Sequence, residues 1–117
     1  RAALARASAP APVLGPAPGA DGRYALPPLP FAPAALAPHV GAQTMALHHG
    51  KHHAAYIARL NEALAAAPAL AAQPLERVLG ELAAAPRAQR EALRNQGGGH
   101  YNHDLFWKTL SPTPAPP

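Results

Sequence analysis

Apolar residues recur every three or four positions over three stretches of the chain, and this spacing predicts three helices. The first runs from about Gly41 to about Ala66, where Pro68 ends it. Its predicted inward stripe consists of Met45, His48, His52, Tyr56, Leu60 and Leu64. The second helix is short, from Pro74 to about Ala84, with proline suited to its first position. Its predicted apolar face consists of Leu75, Val78, Leu79 and Leu82.

A third helical stretch opens at Pro86 and reaches about Leu110, but glycines occupy positions 97–99 within it. Three glycines cost about 3 kcal/mol relative to alanine if the helix runs through them. One possibility is a loop, with a new helix starting at Gly99 or His100. The other is a continuous helix whose glycines let another backbone or a metal-bound group come close. We favour the continuous helix, because helical spacing resumes at His103, Phe106, Trp107 and Leu110.

The remaining segments are rich in proline and predict little regular structure. Residues 1–23 begin with an Ala/Pro/Arg-rich stretch without acidic residues, and we interpret them as a disordered leader. The leader fits a mitochondrial or plastid import remnant, a bacterial export tail or a plain linker, and a cytoplasmic protein also stays possible. Residues 24–38 predict an extended arm pinned on a surface, with room for one helical turn at 34–36. The folded domain is then 24–110, and 111–117 form a linker.

Composition narrows the function classes. The 117 residues allow one small domain, which is marginally stable without a partner or a metal. The absence of cysteine excludes thiolate sites and a cysteine nucleophile. Ten basic against six acidic residues give a net charge of +4, which suits an anionic small substrate. The basic residues are scattered singly, so we expect no nucleic-acid partner, and no apolar run approaches the ~20 residues that span a membrane.

Six of the seven histidines form two clusters, and the clusters indicate metal chemistry. His48 and His52 share the inward stripe of the first helix, whereas His49 and His53 lie about 100° round it and are predicted to face a neighbouring element or water. His100 and His103 are three apart on the last helix, so only one is best placed for a shared centre. Helical bundles build metal sites from inward side chains on facing helices.

Spacing alone leaves the metal ambiguous among zinc, manganese, iron, copper and nickel. There is no HExxH motif, phosphate loop or paired-carboxylate arrangement. Asp104 faces away from His103 by about 100°, so it is predicted to lie outside the site. The sequence therefore predicts part of a metal site, which the chain cannot complete alone.

Two motifs, HHxKHHxxY at His48–Tyr56 and GGHxNHxxFW at Gly98–Trp107, resemble the N-terminal half of the manganese/iron superoxide dismutases. The resemblance extends from Tyr24 to about Pro112. It implies an all-α fold, an antiparallel hairpin of two long helices with a short helix between them, without the family's C-terminal α/β domain. It also implies an enzyme that converts superoxide to O2 and hydrogen peroxide on manganese or iron.

The resemblance assigns roles residue by residue. It matches His48 and His103 to two metal ligands, and His52 and Tyr56 to the catalytic residues that line the substrate funnel. The other two ligands, an Asp and a His, belong to the C-terminal domain, and no motif like theirs is present here. Gly99 stands where iron-type members usually carry a Gln, so manganese is favoured over iron.

The resemblance further implies superoxide as substrate, a homodimer or homotetramer when complete, and little activity for this chain alone. Two rival interpretations are a non-catalytic helical assembly module and a stand-alone histidine-rich hairpin. The first is disfavoured because all four matched site residues are retained. The second would need a further inward carboxylate or histidine.

Overall fold

The computed structural model describes residues 15–112, and these residues form helices and extended segments without a strand. Helix α1 covers Ala42–Leu47, a π-helical turn covers His48–His53, and α2 covers Ala54–Ala65. Helix α3 covers Leu75–Gly80 and α4 covers Arg87–Thr109. Short 3-10 turns lie at Pro33–Leu36, Pro68–Leu70 and Leu82–Ala84. None of the helices described has the length and apolarity needed to cross a membrane.

The predicted all-α hairpin is confirmed. The run α1–π turn–α2 forms one arm of the hairpin and α4 forms the other, with α3 packed against α4. Prolines set the boundaries: Pro74 and Pro86 directly precede α3 and α4, where the missing N–H costs nothing. The predicted second helix is shorter than expected, because α3 ends at Gly80 and a separate 3-10 turn follows.

The core lies between α2, α3 and α4. Leu60, Leu75 and Leu93 are fully buried, one from each helix. Burial of such a leucine stabilises the fold by about 1.5–3 kcal/mol. The rest of the cluster consists of Tyr24, Ile57, Ala63, Leu64, Ala67, Leu70, Val78 and Ala85.

The glycines at 97–99 lie inside one continuous helix, as favoured from the sequence. A Cβ at Gly97 would come within 3.2 Å of Leu75 and Leu79, and a Cβ at Gly99 would overlap the ring of Tyr56. A Cβ at Gly98 would meet nothing within 4 Å. Two of the glycines therefore let side chains of other helices approach the backbone of α4.

The extended arm crosses both long helices. Asn61 on α2 holds the backbone of Tyr24 on both sides, donating to its carbonyl and accepting from its N–H, each over 2.8 Å. The Tyr24 hydroxyl donates to the carbonyl of Gln73 over 2.6 Å, and burial raises the pKa of this phenol. Upstream, the carbonyl of Pro16 accepts from the N–H of Leu75 over 3.0 Å.

Several sequence predictions extend beyond these residues. Most of the predicted leader, at 1–14, and the end of the predicted linker, at 113–117, lie outside the described part of the chain. Residues 15–23 lie within it, and Pro16 contacts α3 as described above. The domain boundaries at residues 23 and 110 stay predictions.

Candidate metal centre

Two imidazoles from the two arms of the hairpin meet with their outer nitrogens facing each other. His48 starts the π turn and His103 lies on α4, and their Nε2 atoms are 3.0 Å apart. Both side chains are half-buried. The His103 Nδ1–H donates to the carbonyl of Gly99 over 2.7 Å, one turn earlier in the same helix. That bond fixes the proton on Nδ1 and leaves the Nε2 lone pair of His103 directed at His48.

A separation of 3.0 Å between two imidazole nitrogens suits either a shared proton or a shared metal ion. Metal–nitrogen bonds of about 2.0–2.1 Å place two ligand atoms about 3 Å apart when they subtend a right angle. Burial, then the neighbouring charges of His103 and His52, lower the pKa of His48. A neutral imidazole is the form that binds metal. The pair therefore fits a divalent transition metal by geometry and by donor type.

An open cavity of about 550 Å³ lies directly over this pair. Lys51 and Arg59 bring positive charge to its lining, which contains no carboxylate. Its lining residues are His48, Lys51, His52, Ala55, Tyr56, Arg59 and His103. Such a cavity suits a small anion that approaches the imidazole pair.

The two residues predicted to be catalytic both line this cavity. The ring centroid of Tyr56 lies 5.1 Å from that of His103. The ring centroid of His52 lies 5.7 Å from that of His48, edge to face. Tyr56 is half-buried, whereas His52 is exposed.

The prediction that His52 points toward the core is wrong, and the π turn explains why. A π turn bonds residue i to i+5 instead of i+4, so residues five apart return to the same face. His53 rather than His52 therefore follows His48 on the inner side, and His53 is fully buried. For His53 the sequence predicted contact with a neighbouring element or with water. The structure places it against a neighbouring element, helix α4.

A second histidine pair joins the same helices underneath the first. The Nε2 of His53 lies 2.7 Å from the Nδ1 of His100, and the indole N–H of Trp107 donates to His53 Nδ1 over 2.9 Å. All three side chains are buried. Burial lowers the pKa of His53 to about 3 and that of His100 to about 4, so both are neutral near pH 7. The even helical spacing used for the sequence prediction could not reveal this pair.

The donor set is incomplete within residues 15–112, where no group of three or more His, Cys, Asp or Glu side chains is placed to hold a metal ion. Asp104 does not join His48 and His103, because its Oδ2 accepts from Lys108 Nζ over 2.8 Å. The helix arms also expose large apolar side chains: Leu47, Leu105 and Phe106 are 46–52% exposed. Phe106 lines a second, smaller cavity beside His48 and His103.

Comparison with known proteins identifies relatives of this hairpin. The family described as "Iron/manganese superoxide dismutases, alpha-hairpin domain" matches residues 23–111. The chain is 52% identical over 89 residues to "Superoxide dismutase [Mn]" of Pseudomonas aeruginosa, covering 76% of this chain and 43% of that protein. It is 51% identical to "Superoxide dismutase [Mn/Fe]" of Methylomonas sp. over 76% of this chain and 44% of the relative. "Superoxide dismutase [Mn]" of Thermus thermophilus is 48% identical, with the same coverage. The chain therefore spans less than half the length of these relatives.

Proposed function

Because the chain belongs to the iron/manganese superoxide dismutase family, as its α-hairpin domain, we propose that it forms the helical half of a superoxide dismutase centre. His48 and His103 supply two ligands of a bound manganese ion, with iron as the alternative. The observation that carries this assignment is the 3.0 Å separation of their Nε2 atoms, one from each arm of the hairpin. The names of the relatives, "[Mn]" and "[Mn/Fe]", support the same metals.

Residues of this chain fit the metal by position and by chemistry. The bond from His103 Nδ1–H to the Gly99 carbonyl aims Nε2 at the shared point. Gly99 carries no side chain, so no glutamine reaches the centre from this position, which favours manganese. A bound metal would supply the one-electron steps that turn two superoxide anions and two protons into O2 and hydrogen peroxide.

The cavity over the pair provides the route for the anion. Lys51 and Arg59 raise the local positive potential, which increases the encounter rate with a small anion. Tyr56 lies against His103 and lines the same cavity. We assign the hydroxyl of Tyr56 to proton delivery, with His52 beside it at the exposed side of the cavity.

The remaining ligands must come from elsewhere, since two imidazoles do not define a coordination shell. We propose that they come from a C-terminal α/β domain, which would cover Leu47, Leu105 and Phe106. Exposed apolar side chains of this size on both arms, with Phe106 beside the incomplete site, are typical of an interface. A homodimer or homotetramer of the whole protein, and an imported or exported location suggested by the leader, are further proposals.

A chimera tests this function. The 117 residues would be fused to the C-terminal half of the Pseudomonas aeruginosa relative and loaded with manganese. We expect dismutase activity from the chimera and none from the 117-residue chain above that of free Mn²⁺. His48→Ala and His103→Ala should each abolish metal retention and activity, whereas His39→Ala, exposed and outside the site, should change neither. A chimera whose His103→Ala variant keeps full manganese content and activity would contradict the assignment.

A further inference from the structure

Beneath the proposed ligands, Trp107, His53 and His100 form a hydrogen-bonded series that the ligand assignment does not use. The indole N–H can only donate, so His53 Nδ1 must accept. A neutral His53 then carries its proton on Nε2 and donates it to Nδ1 of His100. His100 in turn carries its proton on Nε2. Donation therefore runs from Trp107 to His53 and from His53 to His100. Each of the two imidazoles has its proton on Nε2.

The series also touches both proposed ligands. The ring of His53 stacks on that of His103, with centroids 5.2 Å apart and planes 28° apart. On another side of His103 lies the Tyr56 ring, with its centroid 5.1 Å away. The indole of Trp107 meets the ring of His48 edge to face at 5.1 Å. His53 and Trp107 thus limit the ring planes of His103 and His48, and His100 acts on His103 only through His53.

The extended arm closes the series from the other side. The ring of Tyr24 packs edge to face on His100 at 5.7 Å, and His49 Nε2–H donates to the carbonyl of Pro27 over 2.6 Å. Tyr24 is itself held by the paired hydrogen bonds to Asn61. His53 and His100 are 0% and 1% exposed, so water does not compete for their nitrogens.

We propose that His53 and His100 are positioning residues, which fix the ring plane of His103 and so set the affinity of the metal site. This inference rests on the proposed function, because it takes His48 and His103 as ligands. Packing alone would be served by any side chain that fills the volume of His100. Positioning requires an acceptor at its Nδ1, since without one the buried Nε2–H of His53 loses its partner and the ring is free to reorient.

Substitutions of His100 in the 117-residue chain separate the two roles. His100→Asn keeps an acceptor near the place of Nδ1, whereas His100→Leu fills similar volume without one. Two measurements apply to each variant: ring order of His103 in the metal-free chain, from imidazole NMR relaxation, and the Kd for Ni²⁺, from paramagnetic broadening of the His103 ring signals. Nickel binds imidazole more tightly than manganese does, so it is the better probe.

We expect His100→Leu to raise the Kd by about tenfold and to loosen the His103 ring, as loss of supporting hydrogen bonds around a ligand does elsewhere. His100→Asn should stay close to the unsubstituted chain in both measurements. Equal ring order and equal Kd in the two variants would overturn the proposal.

A second variant covers the case in which His100→Leu does not fold, as judged by circular dichroism. Trp107→Phe keeps a ring at that position but removes the N–H that fixes the tautomer of His53. The same loosening of the His103 ring is expected, and an unchanged ring would overturn the proposal. If Ni²⁺ binds the unsubstituted chain and its His48→Ala variant equally, the ligand assignment fails instead. Ring order in the metal-free chain still tests positioning in that case.

Discussion

Two histidine pairs bridge the same two helix arms, and their surroundings differ. His48 and His103 are half-buried, face an open cavity and direct their Nε2 atoms at each other. His53 and His100 are fully buried, and a tryptophan N–H supplies the donor that orders them. All four residues are histidines, so the residue type alone does not decide which of them can bind a metal ion. What sets His48 and His103 apart is that they line an open cavity, whereas His53 and His100 are buried.

The π turn makes both pairs possible. Because residues five apart share a face in that turn, His48 and His53 lie one above the other on the inner side of the hairpin. An unbroken α-helix would have turned His52 inward instead and left His53 to one side. The local backbone irregularity therefore places one pair at the edge of the cavity and the other in the buried interior.

We expect the two pairs to differ most in how much each contributes to the free energy of unfolding. His53→Ala removes two buried hydrogen bonds and leaves a cavity, so it should cost about 3 kcal/mol or more. His48→Ala, at the rim of a cavity, should cost about 1 kcal/mol or less. Urea unfolding of the metal-free chain measures both variants. Equal losses would mean that the two pairs do not differ in the way described here.

Acid should destabilise the whole fold through the buried pair. The pKa of His53 falls from 6.5 to about 3 and that of His100 to about 4 on folding, because burial disfavours their charged forms. The unfolded chain therefore binds more protons between pH 6.5 and pH 4, and stability is lost as the pH falls through that window. We expect the free energy of unfolding to fall by several kcal/mol over this window, measured by urea unfolding at stepped pH. In His53→Ala the pH dependence should flatten; an equally steep profile there would refute this origin of the acid sensitivity.

Substitutions of Gly98 and Gly99 test how closely Tyr56 must pack beside His103, and their expected effects are smaller. A methyl group at Gly99 overlaps the Tyr56 ring, so Gly99→Ala should cost about 1–3 kcal/mol and displace Tyr56 from His103. Gly98→Ala meets nothing within 4 Å and should stabilise the helix by about 0.5–1 kcal/mol. Urea midpoints of the two variants compare them directly. Gly99→Ala at least as stable as Gly98→Ala would show that the close approach of Tyr56 is not required.

Much of the fold followed from the sequence. Pro74 and Pro86 correctly predicted where α3 and α4 start. The apolar spacing correctly predicted that α4 continues through its glycines. Periodic spacing assumes an even helix, however, so it misplaced His52 and could not foresee the His53–His100 contact. The glycine triplet led us to expect another backbone or a metal-bound group close to α4, whereas the structure places the side chains of Tyr56, Leu75 and Leu79 there.

The central claim is that His48 and His103, and not the buried pair, bind the metal. A titration of the 117-residue chain with Mn²⁺, followed by line broadening of each imidazole in NMR spectra, tests it most directly. Paramagnetic broadening falls steeply with distance from the ion. We therefore expect the Nε2 signals of His48 and His103 to broaden first and those of His53 and His100 to follow only at higher Mn²⁺. Broadening that begins at His53 and His100, or that spreads evenly over all seven histidines, would contradict the account.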